Sequence, residues 1–176
     1  MRKISVKNFK ITITAIFIAL TLALSAYLSY EVGGYKKYAQ KVGCFCERYD
    51  VKQSLCLAIM RTESGFNEKA KSLKGAVGLM QLMPETAEYM ARSEGKTIND
   101  ITSPDENIRY GTAYLNYLSK KFSDENAVIC AYNAGETKVR EWIKNGKLDE
   151  KRVSYPETLA YLKKVKRRKF IYEVIL

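Results

Sequence analysis

The stretch RTESGF, Arg61 to Phe66, closes a strongly apolar run, LCLAIM, and puts a carboxylate where the pattern asks for another apolar side chain. Leucine, alanine and methionine favour helix, so the run reads as a buried helical segment continuing to Glu63. At helical spacing Cys56, Met60 and Glu63 share one face. The neighbours one turn away, Ile59, Met60, Phe66 and Asn67, include no cation to hold an ionised carboxylate. An acid among apolar groups keeps its proton toward neutral pH. A general acid needs that property, above all one that protonates a poor leaving group such as a glycosidic oxygen. The plainer alternative is a solvated or salt-bridged helix residue, which these neighbours disfavour. Ser64-Gly65 then lets the chain turn away.

The elements that must position this acid are mostly helical. Tyr35 to Tyr49 reads as a helix with Tyr38, Val42, Phe45, Cys46 and Tyr49 on one side, linked by Asp50-Val51-Lys52 to the helix holding Glu63. Ser72 to Gln81, SLKGAVGLMQ, is glycine-punctuated and suits a small hairpin or irregular loop. Pro84 opens a helix, PETAEYMA. SPDEN predicts another start, with Ser103 as cap, Pro104 at the first helical position and Glu106 completing a capping box. That helix runs to about Phe122, and its Tyr110, Tyr114 and Tyr117 read as core packing. Asp124 to Tyr132 is apolar and helical, ending at Asn133-Ala134-Gly135. Thr137 to Lys144 predicts a short helix stopped by Asn145-Gly146, and Pro156 or Glu157 opens the last helix.

The net charge of +11 is not spread over this body. Residues 1–10 carry four basic side chains and no acid, and Lys163 to Lys169 carries six more. Residues 31–162 are nearly balanced, 20 basic against 18 acidic, which excludes a broad polyanion-binding face and with it a nucleic-acid partner. The basic run at 163–169 reads first as a solvated helix face, with an anionic surface, lipid or wall polymer, as the functional alternative. Residues 11–30 follow the first basic block without a single charge, long enough at helical rise to span a bilayer. The expected organisation is therefore a cytoplasmic tail at 1–10, a single-pass signal-anchor at 11–30 and an exported domain at 35–176. The alternative is a secreted protein cleaved near Ala26. Four cysteines, Cys44, Cys46, Cys56 and Cys130, read as small buried apolar residues in preference to a disulfide. With no histidine in the chain and Cys44-Phe45-Cys46 too tight for zinc spacing, neither metal nor cofactor is expected.

Four ordered segments, ESGF, GLMQLMPETA, AYNAGE and YPETLAYLKKV, together resemble the lytic transglycosylases of the soluble type, members of the lysozyme-like superfamily. The resemblance covers the chain from about Tyr38 to Tyr172. It implies a mainly α catalytic domain with a minimal β-hairpin, behind the N-terminal transmembrane helix. It also implies roles residue by residue. Glu63 matches the single catalytic acid. Ser72 matches a serine facing the site, and Met80, Gln81 and Met83 match residues lining the glycan groove. Tyr132 and Asn133 match a tyrosine–asparagine pair whose tyrosine lies near the acid, and Glu157 and Tyr161 match the late motif. Three departures stand out: Lys52-Gln53 for a common Asp-Pro, Gly65 for a common asparagine, and Cys130 for alanine.

The chemistry that the resemblance implies uses one carboxyl group in place of the usual glycosidase pair. The glutamate protonates the oxygen joining N-acetylmuramic acid to N-acetylglucosamine in peptidoglycan, the acetamido group stabilises the cationic centre, and the muramyl 6-hydroxyl closes the ring. A 1,6-anhydro product results. A hydrolysing muramidase and an inactive membrane-tethered wall-binding protein are the alternatives. The expected partners are glycan strands and the membrane, with the chain acting as a monomer.

Overall fold

The computed structural model describes residues 6–176, which fall into two compact units divided after Gly33. The first is one helix, α1 (Val6–Glu31). Arg2 and Lys3 of the basic head lie outside the described residues. Within α1, Thr12–Glu31 is long and apolar enough to cross a membrane, with a mean hydropathy of 1.9. Two of its polar side chains serve the helix itself: the Thr14 and Thr21 hydroxyls donate to the carbonyls of Lys10 and Ile18. No unpaired hydroxyl at those positions then opposes burial in lipid.

The second unit, Gly34–Leu176, is mainly helical, as expected. Its helices are α2 (Tyr35–Tyr49), α3 (Gln53–Glu63), α4 (Pro84–Ser93), α5 (Pro104–Lys121), α6 (Glu125–Ala134), α7 (Glu136–Trp142) and α8 (Pro156–Ile175). The core forms around α3, which is buried from Ser54 through Arg61 and packs between α2 and α8. A helix apolar on every side has no solvent face to offer, so it sits at the centre. Leu57, Ile59 and Met60 are fully buried, each contributing about 1.5–3 kcal/mol. Helix α5 packs on α2, α4 and α6, and α6 in turn on α7 and α8.

The start of α3 shows how the Lys52-Gln53 departure is accommodated. Lys52 is the N-cap and makes no side-chain cap bond. Gln53 compensates by donating its Nε2 to the Ala39 carbonyl at 2.7 Å, tying α3 to α2.

Of the hairpin and the irregular loop expected at residues 72–81, the structure forms the loop, and the hairpin lies elsewhere. Residues 72–81 form an irregular loop with isolated bridges, Lys71 to Val77 and Val77 to Leu82, while the two-stranded sheet is β1 (Ile143–Lys144) with β2 (Lys147–Leu148). Asn145 and Gly146, read above as a helix stop, instead make its two-residue turn with φ of 51° and 76°. Positive φ at both central residues is the type I′ geometry that suits the strand twist, and Asn-Gly is the pair that best tolerates it. The capping box of α5 does not form either. Ser103 makes no side-chain cap bond, and the Glu106 carboxylate accepts from the backbone N–H groups of Asn99 and Asp100. Glu106 thus secures the preceding turn rather than the cap.

Candidate active site

Glu63 is the last residue of α3, half-buried, and its carboxyl accepts a hydrogen bond from the Tyr161 hydroxyl at 2.7 Å. Burial pushes the carboxyl up to about 7, against a smaller downward pull from the Tyr161 bond. Among the described residues no charged group contributes to that shift. Tyr161 is itself buried in α8, and burial, then the Glu63 charge, hold its phenol well above the ordinary range. It is therefore a neutral donor across the working pH range.

Three hydrogen bonds to neighbouring elements hold the end of α3 in place. The Ser64 hydroxyl donates to the Leu79 carbonyl at 2.7 Å, joining the helix end to the GLMQ loop. Arg168 of α8 donates to the Arg61 carbonyl and to the Thr62 hydroxyl, at 3.3 and 3.1 Å. The first of these satisfies a carbonyl that a helix C-terminus otherwise leaves open. Gly65 and Phe66 then take φ of 61° and 68°, with the Phe66 ring stacked on Tyr38. Glycine and asparagine both tolerate this left-handed geometry, so Gly65 suits a turn that the common asparagine could also make.

The loop carrying Met80 and Gln81 rests on α5. Asn107, fully buried, accepts from the Met80 N–H at 2.7 Å and donates to the carbonyls of Val77 and Ile101. The fit is tight. A Cβ at Gly78 would lie 2.3 Å from the Asn107 amide, and one at Gly111 would lie 2.3 Å from the Met80 sulfur.

Tyr132, near the end of α6, donates its hydroxyl to the Met80 carbonyl at 2.8 Å and lies close enough for the Glu63 charge to raise its phenol further. Its ring packs against Tyr114 with centroids 5.5 Å apart. Asn133 is exposed and accepts from Thr158 of α8 at 2.9 Å.

The remaining positions are placed less directly. Met80 is fully buried, its sulfur 4.0 Å from Cys56, so its side chain fills the core and only its carbonyl reaches the tyrosine. Gln81 spends its amide on the Ala70 and Gly78 carbonyls, bracing the loop at a φ of 47°. Met83 is the N-cap of α4 and 36% exposed. Ser72 is exposed, its hydroxyl accepting from the Ala76 N–H across its own turn. Glu157 is exposed in the first turn of α8, four residues before Tyr161. Cys130 is fully buried, and burial pushes its thiol up to about 12, so it stays protonated.

Sequence reasoning missed Asn107, Ser64, Tyr114 and Arg168. Asn107 carried a detectable signal: it is a polar residue at a core-facing position of α5, in register with Gly111. Among the described residues no group of three or more potential metal ligands gathers anywhere.

The fold has counterparts of known structure. The 70 kDa soluble lytic transglycosylase of Escherichia coli superposes with a TM-score of 0.73 at 30% identity, covering 87% of this chain and 26% of that one. An inactive glutamate-to-glutamine mutant of the lytic transglycosylase Slt from Pseudomonas aeruginosa gives 0.72 at 31% identity, over 81% and 24%. The lysozyme-like fold of the second unit is thereby shared with solved lytic transglycosylases. In sequence, the soluble lytic murein transglycosylase of Salmonella typhimurium is 37% identical over 127 residues, 66% of this chain and 20% of the relative. Membrane-bound lytic murein transglycosylase C of Shigella sonnei is 40% identical over 125 residues, 64% of this chain and 35% of the relative. The chain thus aligns with about a fifth to a third of the length of these curated relatives. A family model, the transglycosylase SLT domain, matches residues 45–154, which hold Glu63, the GLMQ loop and the Tyr132–Asn133 pair, and the chain belongs to that family.

Proposed function

We propose that the chain cleaves the β-1,4 bond between N-acetylmuramic acid and N-acetylglucosamine in peptidoglycan by lytic transglycosylation. The observation that carries this reading is the state of Glu63: one half-buried carboxyl, raised to about 7 and bonded, among the described residues, to a neutral tyrosine hydroxyl. Such a group is an acid and a base of nearly matched strength at neutral pH.

Protonated Glu63 gives its proton to the glycosidic oxygen as the bond to the muramyl C1 breaks, and the N-acetylglucosamine side leaves as an alcohol. The substrate's acetamido oxygen supports the positive charge at C1. The carboxylate left behind keeps the Tyr161 hydroxyl bond, now charge-assisted and therefore stronger. It then takes the proton of the muramyl 6-hydroxyl as that oxygen closes onto C1. Glu63 ends as it began, and no water is consumed. Tyr132 and the loop it holds through the Met80 carbonyl form the adjacent wall, with Gln81, Met83, Ser72, Asn133 and Glu157 assigned to the flanking glycan contacts.

The apolar helix and the membrane-bound relatives support membrane association. In this reading α1 is a single-pass anchor and the Gly34–Leu176 unit is extracytoplasmic, acting on the wall as a monomer.

Product mass tests the reaction. Purified peptidoglycan treated with the chain should release disaccharide-peptides lighter by one water than hydrolytic products. Glu63→Gln should fold and lose activity by about a hundredfold to ten-thousandfold. Products ending in reducing muramic acid would replace this reading with a muramidase, and a fully active Glu63→Gln chain would overturn both.

A further inference from the structure

Helix α8 has two opposed faces. One, comprising Thr158, Tyr161, Leu162, Val165 and Tyr172, is buried against the domain. The other carries Lys163, Lys166, Phe170 and Val174, which recur at helical spacing on the reverse side. All four are exposed, Phe170 and Val174 at 67% and 69%. Lys169 does not belong to this stripe, because it is engaged by Glu125 and Glu173. Those pairs also neutralise Glu173, the acid nearest the stripe in sequence. The stripe is thus cationic in its first half and apolar in its second.

Its position is informative. The Tyr172 and Tyr35 rings pack with centroids 5.7 Å apart, so the apolar end of α8 lies beside the residue at which α2 begins. Tyr35 in turn follows the apolar segment Thr12–Glu31 by only four residues of chain.

We propose that the Lys163–Lys166–Phe170–Val174 face of α8 docks on the anionic surface of the lipid bilayer. The inference rests on the membrane-anchored reading above and adds a second contact to it. A lipid surface fits because it offers two layers, anionic headgroups for the lysines and an acyl boundary for Phe170 and Val174. A purely ionic wall polymer would satisfy only the first half of the stripe. Docking would set the orientation of the domain over the membrane.

The full chain carrying Phe170→Trp, reconstituted in vesicles with brominated acyl chains, tests this. Trp142 is buried in the domain and supplies a constant background that the unsubstituted chain measures. In vesicles rich in phosphatidylglycerol the new tryptophan should be quenched, and quenching should fall in phosphatidylcholine or in high salt. Adding Lys163→Gln and Lys166→Gln should reduce the docked population by about fivefold per lysine while glycan cleavage stays unchanged. A chain that floats with anionic vesicles without quenching overturns the docking alone. Failure to float removes the anchor and the docking together, and leaves the glycosidic reading standing. Shielding of the tryptophan that depends on protein density in the vesicle would assign the face to a second copy and overturn the lipid proposal.

Discussion

Replacing Glu63 by glutamine should stabilise the protein increasingly as pH rises from about 4.5 to about 7. Glutamine keeps the size of the side chain and an acceptor for Tyr161, and it cannot ionise. In the folded chain burial holds the Glu63 carboxyl at about 7, against an ordinary 4.5. Between those values the folded state retains a proton that the unfolded state releases, so wild-type stability falls as pH rises through this window and levels off above about 7. The full shift corresponds to about 3 kcal/mol, and solvent access to a half-buried group trims it to about 2–3 kcal/mol. Glutamine, with nothing to ionise, does not lose that stability. Thermal unfolding of the two full chains in matched detergent, from pH 4 to 8.5, measures the difference. The melting temperatures should converge near pH 4 and separate by about 4–10 °C at pH 8, with the variant higher. A constant offset across the range would refute the claim that burial holds the proton on Glu63. The same substitution removes the reaction, so stability and function should move in opposite directions.

The rate itself should carry the same titration, with kcat/KM for glycan cleavage falling as pH rises past about 7 and Glu63 loses the proton it donates. Tyr161→Phe removes the bond that lowers this value, so the falling limb should move upward while activity drops at least tenfold; a limb that stays in place would separate Tyr161 from the acid. Gly78→Ala should cost about 2 kcal/mol or more, read by thermal or denaturant unfolding, because its φ of 79° and the 2.3 Å approach to Asn107 leave no room for a methyl group. A thiol-blocking reagent on the folded chain should modify Cys44, the one exposed cysteine, without loss of activity, and Cys130→Ala should remain active. Inactivation by the reagent would place a thiol in the site after all.

The sequence by itself determined what depends on near neighbours. The apolar run before Glu63 made both the central helix and its unpaired acid legible, since helical periodicity and the lack of a cation within one turn are local facts. The uncharged stretch at 11–30, both ends of α2 and the starts of α4 and α8 were legible for the same reason. Where one local signal admits two geometries, tertiary structure chose. Asn145-Gly146 stops a helix or turns a hairpin with equal ease, and the bond from the Leu148 N–H to Asp124, 24 residues away, accompanies the hairpin. Glu106 had both a cap and a preceding turn within reach, and took the turn. Met80 looked like a groove residue by its motif, yet the absence of a side chain at Gly111 opens a core site that its thioether fills. Above all, the hydroxyl that bonds Glu63 comes from Tyr161, 98 residues along the chain. No spacing rule reaches that far. The contact exists because α8 buries one face on α3, and that packing both brings the donor to the acid and excludes the water that would otherwise ionise it.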